Sequence, residues 1–182
     1  MGREVPWRKV KSWACLRCGA CCEKFDVTLR PYEYAKIFDL MPEAVVVDVK
    51  PYLRRIGGRC IFQNEYGLCS LQELGLKPFS CKVWPFLVFE KPKYGGCKEA
   101  EFHYEGEKYY VYLNRYAAMC PGIGMGRPEE LPNVISEVIE IYNDPCRRQE
   151  YSTSRLVRLQ SYPGFNVRVL MAKNNFESCG ES

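Results

Sequence analysis

Cys15-Leu16-Arg17-Cys18-Gly19-Ala20-Cys21-Cys22 places four thiols in eight consecutive positions. A free cysteine in a core behaves as a small buried hydrophobe, and packing alone would spread such residues at helical or strand spacing. Two-residue gaps instead let successive thiolates converge on one ion or cluster at metal–sulfur distances of about 2.3 Å. Gly19 lets the backbone bend tightly around such a centre without a side-chain clash. The chemistry these residues point to is ligation of a metal through sulfur.

The thiols continue as Cys60, Cys69, Cys81, Cys97, Cys120, Cys146 and Cys179. Cys60 and Cys69 bracket a loop in which Asn64 and Gly67 are turn formers. Cys81 lies in Lys77-Pro78-Phe79-Ser80-Cys81-Lys82-Val83-Trp84-Pro85-Phe86, where two prolines stiffen the approach and aromatic rings can keep water out. Cys120 is followed by Pro121-Gly122, and a remote cysteine before proline is the fourth ligand of bacterial ferredoxin runs. The other three read differently. Cys97 follows Gly95-Gly96 and reads as an exposed loop thiol, Cys146 as a residue packed beside a helix break, and Cys179 as a free thiol in the tail.

Cys15-x-x-Cys18-x-x-Cys21-Cys22, Cys60-x8-Cys69, Pro78-x-x-Cys81-x-x-x-Pro85-Phe86 and Cys120-Pro121-Gly122, in that order, resemble the CxxCxxCC cysteine-cluster family. That family is a zinc- or iron-chelating domain that includes proteins similar to the flagellin lysine N-methylase. The resemblance spans residues 15 to about 126. It implies metal chelation by eight cysteines, Cys15, Cys18, Cys21, Cys22, Cys60, Cys69, Cys81 and Cys120, and it names no reaction.

The ligand pattern leaves zinc and an iron–sulfur cluster both open. A Cys-x-x-Cys-x-x-Cys run with a remote Cys-Pro suits iron–sulfur, whereas eight cysteines also divide into two closed four-thiolate zinc sites. Vicinal Cys21 and Cys22 diverge and can seldom serve one tetrahedron, so two centres are expected rather than one. The role that follows is structural or redox. The alternative from a different class is an S-adenosylmethionine-dependent protein lysine methyltransferase-like enzyme. It rests on the family resemblance and on the glycine run Gly122-Ile123-Gly124-Met125-Gly126. A dinucleotide fingerprint needs a βαβ unit around such a run, and no parallel strand follows closely. The glycines are expected instead to let the chain pass close to the centre bound by Cys120.

The elements that must position these thiols are short. Phe25 to Leu29 alternates as a strand. A helix opens at Pro31, carries Tyr34, Ile37, Phe38 and Met41 on one stripe, and ends at Pro42. Ala44 to Val49 reads as a strand closed by Lys50-Pro51, and Ser70 as the N-cap of a turn of helix over Leu71 to Leu74. Val83 to Glu90 reads as a strand, and Ala100 to Tyr104 with Lys108 to Leu113 as a hairpin. Pro132 starts an amphipathic helix that Asp144-Pro145 breaks. A second helix from about Arg147 to Gln160 and a strand from Phe165 to Leu170 are expected beyond it. The expected fold is α+β, a small antiparallel sheet with flanking helices organised around the cysteine-bound centres. It forms one domain over 1–182, with a metal-binding region at 15–126, a helical C-terminal part at 127–172 and a tail at 173–182.

The totals limit the function classes. An apolar fraction of 47% and an aromatic fraction of 14% exclude disorder over most of the length. No apolar run spans a bilayer, and the basic N-terminus has no apolar stretch behind it, so a cytoplasmic protein without a membrane partner is expected. Thiols in that compartment stay reduced, so the eleven cysteines point to metal rather than to a disulfide framework. The net charge of +4 counts every thiol as neutral. Eight thiolates carrying two dications would bring it to about zero, so basicity gives no argument for nucleic acid, and the tyrosines of the hairpin read as a packed face. His103, the single histidine, reads as a partly exposed strand residue rather than a ligand. No protein partner is legible.

Overall fold

A computed structural model describes residues 3–149. The helix expected from Arg147 onward falls outside the described residues from position 150, as do the strand at 165–170, the tail and Cys179; residues 147–149 are not helical. The fold is α+β, with small antiparallel sheets and few helices.

The N-terminal half is built from short pieces. Strand β1 (Val5–Pro6) leads through an extended stretch to helix α1 (Ala20–Lys24) and then α2 (Pro31–Leu40). Pro31 opens α2 as expected, because a first-turn proline loses no helical hydrogen bond. Strand β2 (Val45–Val47) pairs with β3 (Pro51–Leu53), Val47 opposite Pro51. The expected strand over Ala44 to Val49 is thus shorter, since residues 48–50 are needed for the turn and Pro51 opens the return strand instead of closing the first. The segment from Phe25 joins this hairpin only by a bridge of Thr28 to Tyr52, with Leu29 N–H donating to the Pro51 carbonyl at 2.9 Å. Strands β4 (Arg55–Ile56) and β5 (Arg59–Cys60) make a second small hairpin. Ile37, Leu29, Ala44, Val45, Leu53, Phe62 and Leu71 form one hydrophobic cluster here.

The second half is a four-stranded sheet covered by a helix. Helix α3 (Phe79–Val83) precedes β6 (Phe86–Phe89), and α4 (Cys97–Ala100) precedes β7 (Glu101–Tyr104) and β8 (Glu107–Leu113). The strand expected from Val83 therefore starts three residues later, because Val83 ends a helix. β7 and β8 are joined by Glu105-Gly106, both at positive φ, the conformation that keeps a two-residue hairpin aligned with strand twist. β8 pairs with β6 over Phe86↔Leu113 to Phe89↔Tyr110 and with β1 at Val5↔Leu113.

Helix α5 (Leu131–Asn143) closes this sheet. Leu131, Val134, Ile135, Val138, Ile139 and Ile141 are all buried, at spacings that put them on one stripe. They meet Phe86, Val88, Val111, Leu113 and Trp13 in a second hydrophobic cluster. Each fully buried aliphatic side chain contributes on the order of 1.5–3 kcal/mol of transfer free energy, so this stripe is the main anchor of the sheet.

One further contact ties the N-terminal stretch to the end of the sheet. Trp13 bridges Ile123, the Ala14 N–H donates to the Gly122 carbonyl at 3.2 Å, and the Gly124 N–H donates to the Ser12 carbonyl at 2.8 Å. A Cβ at Gly122 would stand 2.1 Å from the Ala14 carbonyl oxygen. The glycine run is therefore taken up by backbone pairing between the residues beside Cys15 and those beside Cys120. Gly122→Ala is expected to cost about 3 kcal/mol, the upper end of overpacking in a tight site, whereas Gly57→Ala, at positive φ with open space around it, should cost only about 1 kcal/mol. Chemical denaturation of the two variants checks this, and equal losses would show that the 12–14 and 122–124 segments are not held together.

Candidate metal centre

Between the two hydrophobic clusters lies a cavity of about 470 Å³. Cys15, Cys18, Cys21, Cys22, Cys60, Cys69, Cys81 and Cys120 all line it. The two clusters approach the cavity from opposite sequences: Cys15 and Cys120 pack against the sheet–α5 cluster, and Cys22, Cys60 and Cys69 belong to the other. The eight thiols thus share one cavity rather than two separate ones. Among the described residues, no group of three or more His, Cys, Asp or Glu side chains stands arranged to hold a single metal ion; the thiols surround a space.

Each thiol is delivered by a local device. Gly19 sits at φ 72° at the start of α1, and the Cys22 N–H donates to its carbonyl at 2.8 Å. A Cβ at Gly19 would displace the Gln63 side chain, 2.0 Å away, and the left-handed φ of 72° makes the expected tight bend one that glycine favours. Cys21 and Cys22 then ride on the first turn of α1. Asn64 staples the 60–69 loop, its side-chain oxygen accepting from the N–H groups of Tyr66 at 3.0 Å and Leu68 at 2.9 Å. Gly67 takes φ 76° and Cys69 bridges back to Gln63, so both expected turn formers act as turn formers. The expected helix over Leu71 to Leu74 is a single 3-10 turn, Ser70–Gln72, and the Ser70 side chain does not cap it. Cys120 follows a 3-10 turn, Ala117–Met119, and its N–H donates to the Ala117 carbonyl at 2.8 Å.

Cys81 is held by a part of the fold that local pattern does not show. It lies in α3, which opens after Pro78 with no cap of its own. The buried Glu33 of α2 supplies one from a distance, its carboxylate accepting the Phe79 N–H at 2.5 Å while also accepting the Arg30 N–H at 2.8 Å. A carboxylate at a helix start satisfies an orphan donor and complements the helix dipole. The Arg30 guanidinium lies 3.5 Å from the centre of the Phe79 ring. Sequence reading missed both the helix and Glu33, since the partner is 46 positions away.

The surroundings suit sulfur ligation. Phe25 packs at a tilt against Trp84 with centroids 4.5 Å apart and against Tyr116 at 5.9 Å, and all three line the cavity. The buried indole N–H of Trp13, also on the wall, has no hydrogen-bond partner among the described residues, and it is a donor of the kind that sulfur ligands accept. A soft, all-thiol donor set in a mostly apolar cavity is the chemistry of zinc or iron–sulfur sites rather than of hard cations. The residues present therefore fit such a group.

Charge inside the cavity is uneven. The Cys22 thiol hydrogen-bonds Cys21, which pulls Cys21 down to about 6 against the effect of burial, with Lys77 assisting. The same bond, with burial second, pushes Cys22 well up. Burial pushes Cys15, Cys60, Cys69 and Cys81 up. Cys97 is exposed at the start of α4 and off the cavity wall. His103 is exposed and pairs with Glu101 at 2.8 Å, also away from the cavity. Cys146 lies just past α5, its N–H bonded to Asp144 at 3.0 Å.

In metal-free protein, iodoacetamide is expected to label Cys21 ahead of Cys69 and Cys81 at neutral pH, because the thiolate is the reactive form. Labelling of Cys21 should fall as pH drops through about 6. Peptide mapping across pH checks this; equal labelling of the three thiols, or no pH dependence below neutrality, would contradict it.

Residues 14–110 match the CxxCxxCC family, described as a "Putative zinc- or iron-chelating domain". Cys120 lies beyond the matched span yet on the same cavity wall. Neither a curated protein nor a solved structure matches the chain. Among the described residues, no helix is long and apolar enough to cross a membrane.

Proposed function

Because the chain belongs to the CxxCxxCC family, we propose that it binds a polynuclear metal–thiolate centre, best read as iron–sulfur, through Cys15, Cys18, Cys21, Cys22, Cys60, Cys69, Cys81 and Cys120. The observation that carries this is the single cavity onto which all eight thiols open. Its volume of about 470 Å³ is many times the roughly 10–15 Å³ of such space that one water needs. A lone zinc ion asks instead for four sulfurs closed into a tetrahedron around it. The Cys-x-x-Cys-x-x-Cys run and the remote Cys120-Pro121 support the iron–sulfur reading further.

The chain's own residues would do three things for such a centre. Thiolates from both hydrophobic clusters would hold it, so that ligation links the two halves of the fold. Phe25, Trp84 and Tyr116 would limit water at its edge. Burial raises most of the thiols, so loading must release protons, and affinity should fall as pH falls. An iron–sulfur centre supplies one-electron redox chemistry; zinc in closed four-thiolate sites would supply stability alone.

Protein purified under anaerobic conditions is expected to be brown and to contain iron with acid-labile sulfide. Cys69→Ser and Cys81→Ser should each lower metal content and thermal stability together, and Cys97→Ser should change neither. A colourless protein with about two zinc ions would replace the iron–sulfur reading with closed structural sites. Full metal occupancy in the Cys69→Ser/Cys81→Ser double variant would show that the ligands are wrongly assigned.

A further inference from the structure

Lys77 stands on the wall of the thiol cavity, and a buried amide relay holds it there. Its ammonium donates to the Gln149 side-chain oxygen at 2.6 Å. The Gln149 amide nitrogen donates to the Lys82 carbonyl at 2.8 Å, and the Gln72 side chain donates to the Gln149 carbonyl at 2.9 Å. Gln149 and Gln72 are 2% and 8% exposed, so the relay is fixed in the interior. Two further cations line the cavity, Lys24, which is exposed and screened by solvent, and Arg17, which is half-buried like Lys77 but lies in the opening cysteine run itself. Lys77 thus shares the cavity wall with thiols from three stretches of the chain, Cys15 and Cys21 of the opening run, Cys69 of the 60–69 loop and Cys81 of α3.

We propose that Lys77 is the fixed counter-charge of the metal–thiolate centre, a positioning residue whose ammonium, held by Gln149 and Gln72, stabilises the more negative state of that centre. This rests on the metal-centre reading above. A set of thiolates around iron and sulfide carries net negative charge, and adding one electron from an external reductant such as dithionite makes it one unit more negative, with iron(III) reduced to iron(II) and no bond broken. A cation held at the wall in a low-dielectric setting favours that reduced state. Zinc held by four thiolates is likewise net negative, so the same cation would favour its retention. A methionine at 77 keeps the length of the side chain and removes the charge, whereas an arginine keeps the charge.

The test uses the full chain, reconstituted anaerobically, as wild type, Lys77→Met, Lys77→Arg and Gln149→Leu. Iron and sulfide are measured first, and circular dichroism checks the fold. Midpoint potentials then come from dye-mediated titration with dithionite. With equal iron and sulfide, Lys77→Met should lose about tenfold in stabilisation of the reduced state, a shift of about 59 mV to more negative potential for a one-electron couple. Lys77→Arg should restore most of it, and Gln149→Leu should fall between. If the methionine variant does not fold, the wild-type, arginine and Gln149→Leu proteins give the comparison, and Gln149→Leu must then move negative. Unchanged potentials with full clusters would overturn the role of Lys77 and leave the metal centre standing. If the wild type holds zinc instead, competition with a chelator should show about tenfold weaker zinc retention in Lys77→Met and near wild-type retention in Lys77→Arg; equal retention in both would overturn the role. A wild type that takes up neither metal would overturn the metal-centre reading itself, and this inference with it.

Discussion

Eight thiols brought to one cavity are the constraint around which the chain is arranged. Sulfur groups from positions 15 to 22 and from 60, 69, 81 and 120 must face a common space, and none of the local elements is long enough to carry more than two of them. The chain solves this with bends rather than with regular structure. Gly19 and Gly67 turn at positive φ, Asn64 staples a loop, and the 12–14 stretch locks onto 122–124. Short elements and many turns cost conformational entropy, on the order of 1–2 kcal/mol per ordered residue for the backbone. The two hydrophobic clusters offset that cost only at the flanks, because the space between them is lined by thiols instead of filled by aliphatic side chains. Ligation across that space would provide the cohesion that packing leaves out.

The two halves of the fold divide the work. The sheet and α5 form a conventional core, with a continuous apolar stripe and a four-strand surface under it. They fix Cys15 and Cys120 through Trp13 and the glycine run. The N-terminal half is looser in regular structure, and its cluster around Ile37 holds Cys22, Cys60 and Cys69. Cys81 sits in α3, which is capped by Glu33 of α2 and packs toward α5. A buried carboxylate, a buried lysine at 82 and two buried glutamines lie behind the thiols. Burying polar groups is costly unless each finds partners, and most of these do: Lys82 donates to the carbonyls of Pro145 and Arg147, Gln149 accepts from Lys77 and Gln72 donates to the Gln149 carbonyl, while the Gln72 side-chain oxygen has no partner among the described residues. The polar layer thus orients the wall of the cavity from the outside.

What was legible in the sequence follows from how local each signal is. The cysteine order is a covalent fact, and the family resemblance it carries implied all eight candidates, Cys120 included, which line one cavity. Helix α2, the β7–β8 hairpin and α5 carry strong local signals: a first-turn proline, a two-residue turn, and an apolar stripe at helical period. The strand at Phe25 to Leu29 and the helix at Leu71 were overestimated, because in so short a segment alternation or a capping serine says little about whether pairing partners lie nearby. Helix α3 was missed for the opposite reason. Its start is capped by Glu33, far away in sequence, and the position before the helix holds Pro78 instead of a capping side chain.

Lys77 and Gln149 were invisible for the same physical reason, and they show what a cysteine motif leaves unstated. A motif records which atoms can bind metal. It does not record the charge those atoms experience, which depends on groups that converge only in three dimensions. Here thiols pushed up by burial share a cavity wall with an ammonium that pulls in the other direction. Burial alone favours neutral thiols, and a cation on the wall such as Lys77 would shift the balance toward thiolate without occupying a coordination position. The amides that hold it are nearly inaccessible to water, which ties the Lys77 ammonium to the wall. The ligand set and its electrostatic setting are therefore separate layers of one site, the first written as a local pattern and the second assembled only by the fold.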